Sequence, residues 1–187
     1  DGVITGGVLC GLLSFRRDTL IPTQNAIGRL AMSVADAVNA QHKLGVDLSG
    51  ALGKDFFTQA TPAALSNAKN TGNLEIGASI SNASQLTTSD YSVEVTNVAG
   101  TLTYNVTRLS DKQSMGAFTT FPITFDGVSL AAASGTAQAG DSFLIQPTRT
   151  GARDLDVVTL DPSKVAAASP IVTGNTAGNK GTGALGA

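Results

Sequence analysis

Between Leu20 and Leu44 the chain carries apolar residues at alternating spacings of three and four. Because an α-helix completes a turn every 3.6 residues, this spacing brings those side chains onto one face of a helix roughly 35 Å long. Pro22 fits only within the first turn of such a helix, and Gly45 can adopt the left-handed conformation that ends it. We therefore predict an amphipathic helix with a packing face formed by Leu20, Ile27, Leu30, Ala31, Val34, Val38 and Leu44.

A helix with so wide an apolar face needs a partner. The segment from Thr5 to Asp18 can supply a second helix, although its glycines weaken it. Asp18 or Thr19 would then cap the start of the long helix. Two helices still make a thin bundle, so we expect further chain or other subunits to complete it. Cys10, the only cysteine, is expected to be a buried, inert thiol and excludes an internal disulfide.

After Phe57 the period of the apolar residues changes to two, which is typical of half-buried β-strands. Turn-forming residues separate these strands, among them Asn97 to Gly100 and Asp126-Gly127. Pro122 belongs on an edge strand or at a bulge. The pattern predicts an antiparallel β-rich domain. Its predicted core residues are Ile76, Tyr91, Val93, Tyr104, Val106, Phe121, Ile123, Phe125, Phe143 and Ile145.

The change of period implies an α+β fold, in which an N-terminal helical segment, part of a helical bundle, precedes an antiparallel β-rich domain. Val158 and Leu160 would form the last strand. The sequence begins with Asp and has no signal-peptide pattern, and its last residues do not resemble the end of a folded unit, so we expect an internal piece of a longer protein. The predicted divisions are a helical core-domain segment at 1–57, a connector at 58–72, the β-rich domain at 73–161, and a linker or the start of a further β domain at 162–187.

Composition restricts the classes of partner. Charged residues make up 14% of the chain, below the roughly 25% typical of soluble domains, and the net charge is −2. No cluster of basic residues is present, so we predict no nucleic-acid binding. No apolar run reaches the roughly 18 residues of a membrane-spanning helix, so we predict no membrane partner. A weakly charged surface suits packing against copies or neighbours, and it equally fits an extracellular bacterial domain of biased composition.

Residue patterns typical of catalysis are weak. His42 is the only histidine, and near the end of the predicted helix a solvated or capping role is expected. No G-x-S-x-G turn accompanies it, so a Ser-His-Asp triad is unsupported. One cysteine and one histidine exclude a zinc cluster, and Asp154, Asp156 and Asp161 lack the glycine of a calcium loop. We predict no enzyme, no cofactor and no metal site.

Two blocks of the sequence resemble one known family. The first extends from Gly11-Leu12-Leu13-Ser14-Phe15-Arg16-Arg17-Asp18 to the stretch 39–57, which reads NAQHKLGVDLSGALGKDFF. The second comprises YNVTR at 104–108 and GDSFLIQPTR at 140–149. These segments are similar to the flagellar hook-associated protein 1 family, the FlgK type. The resemblance covers about Gly7 to Pro170.

The resemblance implies an axial structural protein of the bacterial flagellum, located outside the cell after export by the flagellar secretion apparatus. It implies a place at the hook–filament junction, with hook protein on one side and hook-associated protein 3 on the other, and self-association in the full-length assembly. It also implies a helical core domain with β domains inserted outward. The terminal helices of the family are missing here, so we expect these 187 residues alone to be monomeric.

A cell-surface adhesin or carbohydrate-binding module is the alternative. A β domain rich in Ser, Thr and Asn can bind sugars, but sugar sites usually stack on exposed aromatic rings. The chain has no Trp, and Tyr91 and Tyr104 are in phase with the apolar faces of their strands. That phase favours a core position for both tyrosines.

Overall fold

The computed structural model describes residues 6–170, which form one long helix followed by a β domain. The helix comprises α1 (Gly7–Phe15), a single π-helical turn at Arg16–Leu20, here called the π turn, and α2 (Ile21–Lys43). This order of helix and antiparallel strands confirms the predicted α+β fold. Among the described residues, no helix combines the length and the hydropathy needed to cross a membrane.

The β domain contains two antiparallel sheets. The first has the order β1-β8-β3-β4-β5 and the second has the order β2-β7-β6. The strands are β1 (Ala63–Ser66), β2 (Glu75–Ile80), β3 (Tyr91–Val98), β4 (Thr101–Arg108), β5 (Ser114–Phe118), β6 (Ile123–Phe125), β7 (Val128–Ser134) and β8 (Ser142–Gln146). Short 3₁₀ turns occur at Ala83–Gln85 and Pro162–Lys164.

Tight turns set the register of the hairpins. Between β3 and β4, Ala99 and Gly100 both have positive φ, and the same holds for Asp126 and Gly127 between β6 and β7. Two successive residues with positive φ form the type I′ turn, whose twist matches that of the flanking strands. The turn signals in the sequence thus lie where the chain reverses. Pro122 immediately precedes β6, the edge strand of the second sheet.

The hydrophobic core lies between the two sheets. Eight of the ten predicted core residues are buried in it, whereas Ile76 and Phe121 pack against it and stay partly exposed. Strand β7 adds Val128 and Leu130, both fully buried, which the sequence analysis did not single out. Alternate residues of the strands therefore fill the interior, as a period of two requires.

The prediction of a second helix packed beside the long one was wrong. The segment from Thr5 to Asp18 contributes α1, which continues through the π turn into α2. Asp18 and Thr19 lie within the π turn and cap no helix start. A proline ring collides with the carbonyl four residues earlier, here that of Asp18. The wider π turn accommodates Pro22: the N–H of Ile21 donates to the carbonyl of Arg16, five residues back. The helix therefore continues where we expected a new one to begin.

Two local expectations in the β half also differ from the structure. The predicted connector at 58–72 contains β1, which pairs with β8. Val158 and Leu160 form no strand and are exposed; only an isolated bridge joins Phe57 to Val157. Short polar loops between 147 and 160 replace the expected strand. Residues 171–187 lie outside the described residues, so the proposed tail and the domain boundaries stay predictions.

Candidate assembly surface

The packing face predicted from the sequence is exposed in this chain. Its six large residues have between 36% and 65% of their surface exposed, and Ala31 is partly exposed. We call this set the apolar stripe: Leu20, Ile27, Leu30, Ala31, Val34, Val38 and Leu44. Helix α1 buries no residue at all. An exposed apolar surface of this kind marks an interaction site.

A different face of α2 packs against the β domain and the loops. Its buried residues recur at spacings of three and four, as the apolar ones do, but they are mainly polar or small. We call them the inner row: Asn25, Gly28, Met32, Ala35, Asn39 and His42. Sequence reasoning missed this row because it ranked positions by hydrophobicity. The spacing of Asn, Gly and His was the signal that could have revealed it.

Asn25 ties α2 to the loop before β3. Its side-chain amide donates to the carbonyl of Thr88 and to the carboxylate of Asp90, each at 3.0 Å. Asp90 also forms an ion pair with Arg149. Burial raises the pKa of the Asp90 carboxyl, while the Arg149 guanidinium acts in the opposite direction. The loop before β3 and the loop after β8 are thereby joined to α2 at Asn25.

Gly28 allows the backbone of α2 to touch the segment after β8. A Cβ atom at Gly28 would lie 1.7 Å from the carbonyl oxygen of Thr148. Gly151 approaches from the other side, where a Cβ would lie 2.6 Å from the carbonyl oxygen of Gly28 and 2.7 Å from Cγ of Met32. No side chain fits at this contact, so both glycines are required by the packing.

Asn39 uses its whole amide group to hold one dipeptide. Its Oδ1 accepts the N–H groups of Phe56 and Phe57, both at 2.8 Å, and its Nδ2 donates to the carbonyl of Phe57 at 2.9 Å. Asn39 is 2% exposed, so these three bonds replace water for every group involved. The chain after the helix is thus fixed along the side of α2.

His42 is buried, and the expectation of a solvated or capping histidine was wrong. Its Nε2 accepts the N–H of Ala166 at 2.9 Å, while Nδ1 lies 2.6 Å from the carbonyl oxygen of Lys54. Because Nε2 accepts, the proton of the neutral ring resides on Nδ1 and is donated to Lys54. The imidazole therefore joins α2 to two separate segments. Cys10, predicted to be buried, is instead partly exposed on α1.

The loop after α2 is held in place by the carboxylate of Asp47. The carboxylate of Asp47 accepts the N–H groups of Ser49 and Ala51, and Lys164 lies 3.2 Å away. The hydrogen bond from the Ser49 side chain and these further contacts hold the pKa of Asp47 well below its usual range. The fixed loop leaves Leu48 and Leu52 exposed.

The arrangement defines a class of protein. Polar and small residues fasten α2 to its own domain, and the apolar stripe lies on another side of the same helix. Among the described residues, no group of three or more His, Cys, Asp or Glu could hold a metal ion. These features are typical of a structural module whose helix packs against other helices in an assembly.

The comparisons with known proteins identify the family. Residues 1–57 match the model of the flagellar hook-associated protein FlgK helical domain, and residues 65–147 match that of the flagellar hook-associated protein 1 D2-like domain. The chain is 36% identical over 190 residues to flagellar hook-associated protein 1 of Escherichia coli strain K12, an alignment covering 99% of this chain and 33% of the relative. This chain belongs to the flagellar hook-associated protein 1 family.

A second relative and one solved structure agree with this assignment. The flagellar hook-associated protein 1 of Salmonella typhimurium is 32% identical over 177 residues, covering 90% of this chain and 30% of the relative. The structure of the flagellar hook junction protein FlgK from Burkholderia pseudomallei has a TM-score of 0.81 and 39% identity, and the match covers 95% of this chain and 32% of that one. The chain thus spans about a third of the length of the curated relatives it matches.

Proposed function

We propose that this chain is part of a structural component of the bacterial flagellum that joins the hook to the filament and carries out no catalysis. The single observation that supports this most directly is the exposed apolar stripe on a helix firmly attached to its own domain. The relatives named above are hook-associated and hook junction proteins, which agrees with a structural role.

The partners in this proposal are hook protein on one side and hook-associated protein 3 on the other, with self-association in the full-length assembly. The protein would reach this place outside the cell by export through the flagellar secretion apparatus. The support for these finer points is the family membership alone. The 187 residues carry about a third of the relatives' length, so further contacts would come from the remaining chain.

The apolar stripe gives the proposal its energetic basis. Fully burying a large aliphatic side chain contributes about 1.5–3 kcal/mol, so covering six that are roughly half exposed contributes on the order of 6 kcal/mol. The 3,4 spacing of the stripe suits another helix, since such residues interdigitate along a helical seam. We propose that a helix of the full-length protein outside these 187 residues covers it, because the relatives are about three times as long.

The carbohydrate-binding alternative gains no support from the β domain. Tyr91 is 1% exposed and Tyr104 is 8% exposed. The ring of Tyr91 packs at a tilt against Phe125, and that of Tyr104 packs edge to face against Phe121. Neither ring is therefore available as a platform for a sugar.

Complementation tests the proposal. Deleting the full-length gene from its host should leave hooks without filaments, and the wild-type gene should restore the filaments. A triple variant with Ile27, Leu30 and Val34 replaced by Asp should fail to restore them, because three charges would then lie within the apolar stripe. Filaments are counted by electron microscopy, and the exported protein is measured in the culture supernatant.

The matched control places the same three charges on a neighbouring face of α2. Ala26, Ser33 and Ala40 recur at a spacing of seven on that face, and none of them is buried. Replacing these three by Asp should leave filaments intact. Normal filaments in the deletion strain would refute the junction role. Equal behaviour of the two triple variants would refute the role of the apolar stripe.

A further inference from the structure

The π turn contains one residue more than the helical repeat on either side of it requires. In α1 the apolar residues Val8, Leu12 and Phe15 follow at steps of four and three, and in α2 the 3,4 steps resume from Leu20. The step from Phe15 to Leu20 is five residues where the repeat calls for four. The series through Val8, Leu12 and Phe15 is therefore out of register by one residue with α2, whereas Leu9 and Leu13 would be in register with α2 in an uninterrupted α-helix.

In an unbroken α-helix, one additional residue would rotate α1 by about 100° relative to α2. Phe15 would then lie on a different side of the helix from Leu20. A π turn closes its hydrogen bond five residues back, so it accommodates one residue more than an α turn. The additional residue falls within Arg16–Leu20, where the N–H of Ile21 reaches the carbonyl of Arg16. The rotation that the additional residue would cause is thereby cancelled.

We infer that the π turn restores the phase of the helix and joins Val8, Leu12 and Phe15 to the apolar stripe as one continuous seam. The seam would then extend along the helix from Gly7 to Lys43, roughly 55 Å. Its occupant is a single amphipathic helix from the rest of the full-length protein, with apolar residues at 3,4 spacing, that passes the π turn without interruption. This inference rests on the proposed assembly role of the apolar stripe.

The exposure of the three α1 residues agrees with this inference. Val8, Leu12 and Phe15 are 82%, 61% and 57% exposed, and α1 buries none of its residues against the rest of the described chain. A short helix with glycines is marginal on its own, so its stability depends on packing of its apolar face. Leu9 and Leu13 fall outside this series and lie on an adjoining side of α1.

The test changes the number of residues in the π turn and leaves the seam residues untouched. Deleting Thr19, together with Pro22→Ala to remove the proline that the α turn cannot accept, should convert the π turn into an α turn and keep the seam in phase. Inserting one alanine after Thr19 should rotate α1 out of phase. A third variant combines this insertion with deletion of Asp18, which restores the original residue number.

Hydrogen exchange of the α1 amides in the purified full-length protein is the first measurement, because it does not depend on export. We expect protection in the wild type, in the Thr19 deletion and in the variant of restored length, and at least a tenfold faster exchange in the insertion variant. Equal protection in all four proteins would overturn the inference, as would loss of protection in the Thr19 deletion. Fast exchange of the α1 amides in the wild type would overturn the proposal that a helix of the same protein covers the seam, and would assign the seam to a neighbouring subunit.

Filament formation in the complemented deletion strain is the second measurement. The Thr19 deletion and the variant of restored length should restore filaments, and the insertion variant should not. If filaments form without the gene, the proposed junction function fails. If the gene is required and the insertion variant still restores filaments, the function stands and the phase inference fails.

Discussion

Gly28 and Thr148 meet backbone to backbone: a Cβ on Gly28 would lie 1.7 Å from the Thr148 carbonyl oxygen. The long helix is therefore held against the β domain at a distance that only glycine permits. Further along the same face of α2, Asn39 and His42 hold the helix through hydrogen bonds instead of close backbone contact.

Gly28→Ala should destabilise the chain by about 1–3 kcal/mol, because the added methyl group forces α2 away from the loop after β8. Gly11→Ala is the control, since a Cβ at Gly11 meets nothing within 4 Å. That control should be neutral or slightly stabilising, as alanine favours helix over glycine. Urea unfolding measures both, and a Gly28→Ala variant as stable as the control would contradict the close contact.

Asn39→Ala should cost about 1–3 kcal/mol, since two N–H groups and one carbonyl at Phe56 and Phe57 would lose their partners in a partly buried place. The amides of these phenylalanines should exchange with solvent faster in the variant. Gln41→Ala removes a side-chain amide from an exposed position of the same helix and should change the free energy of unfolding by less than about 0.5 kcal/mol. Similar losses for the two variants would argue against the bonding of Asn39.

His42 should carry hydrogen on Nδ1 and none on Nε2, because Nε2 accepts the N–H of Ala166 and Nδ1 faces the carbonyl of Lys54. A long-range ¹H–¹⁵N correlation spectrum reports the tautomer directly, and the chain has only one histidine to assign. His42→Ala should release the segment around Ala166 and accelerate exchange of its amide. A protonated Nε2 in the spectrum of the wild type would be inconsistent with this geometry.

Acid should weaken the β domain through Asp141. The backbone N–H groups of Gln138, Gly72 and Thr71 bind the carboxylate and hold its pKa below the ordinary value. A carboxyl whose pKa is lower in the folded state stabilises the fold above the unfolded pKa, near 4, and loses this contribution as the pH falls toward the folded pKa. The free energy of unfolding, measured in urea from neutral to acidic pH, should decrease accordingly.

Asp141→Asn tests this assignment. A carboxylate accepts hydrogen bonds at both oxygens, whereas an amide has one oxygen and one NH₂ group. If the amide oxygen of the variant keeps the N–H groups of Thr71 and Gly72, its NH₂ group faces the N–H of Gln138. The variant should be less stable at neutral pH and should lose less stability on acidification than the wild type. Asp36→Asn, on the exposed side of α2, serves as the control. An acid profile of Asp141→Asn identical to that of the wild type would exclude Asp141 as a source of the pH dependence.

The sequence was sufficient to predict the long helix and most of the strands, but not the π turn, β1 or the way in which the helix attaches. Period-two alternation located the interior of the β domain because each strand has one buried face, as Val93 and Val106 illustrate. The helical pattern correctly predicted that the apolar residues lie on one face of the helix. The pattern could not show that α2 packs against its own domain through a different face. Leu30 is equally hydrophobic whether the surface that covers it belongs to these 187 residues or lies outside them.

The inner row escaped prediction for a physical reason. Asn25, Asn39 and His42 contribute through hydrogen bonds to backbone atoms 12 to 124 residues away in sequence. Such bonds depend on where distant loops lie, which local spacing does not encode. The π turn was missed for a related reason. From the sequence alone, Pro22 indicates the start of a helix. A π turn that accommodates Pro22 is the alternative only if the residues before it are also helical, as they are here.

The apolar stripe and the inner row of α2 should also respond differently to temperature. Covering the apolar stripe with the proposed helix removes hydrocarbon surface from water, so this packing should proceed with a pronounced decrease in heat capacity and should weaken on cooling. The inner row holds the helix to its domain mainly through amide, imidazole and glycine contacts, whose formation changes the heat capacity little. Cold should therefore loosen the covering helix from the apolar stripe before it loosens α2 from its own β domain.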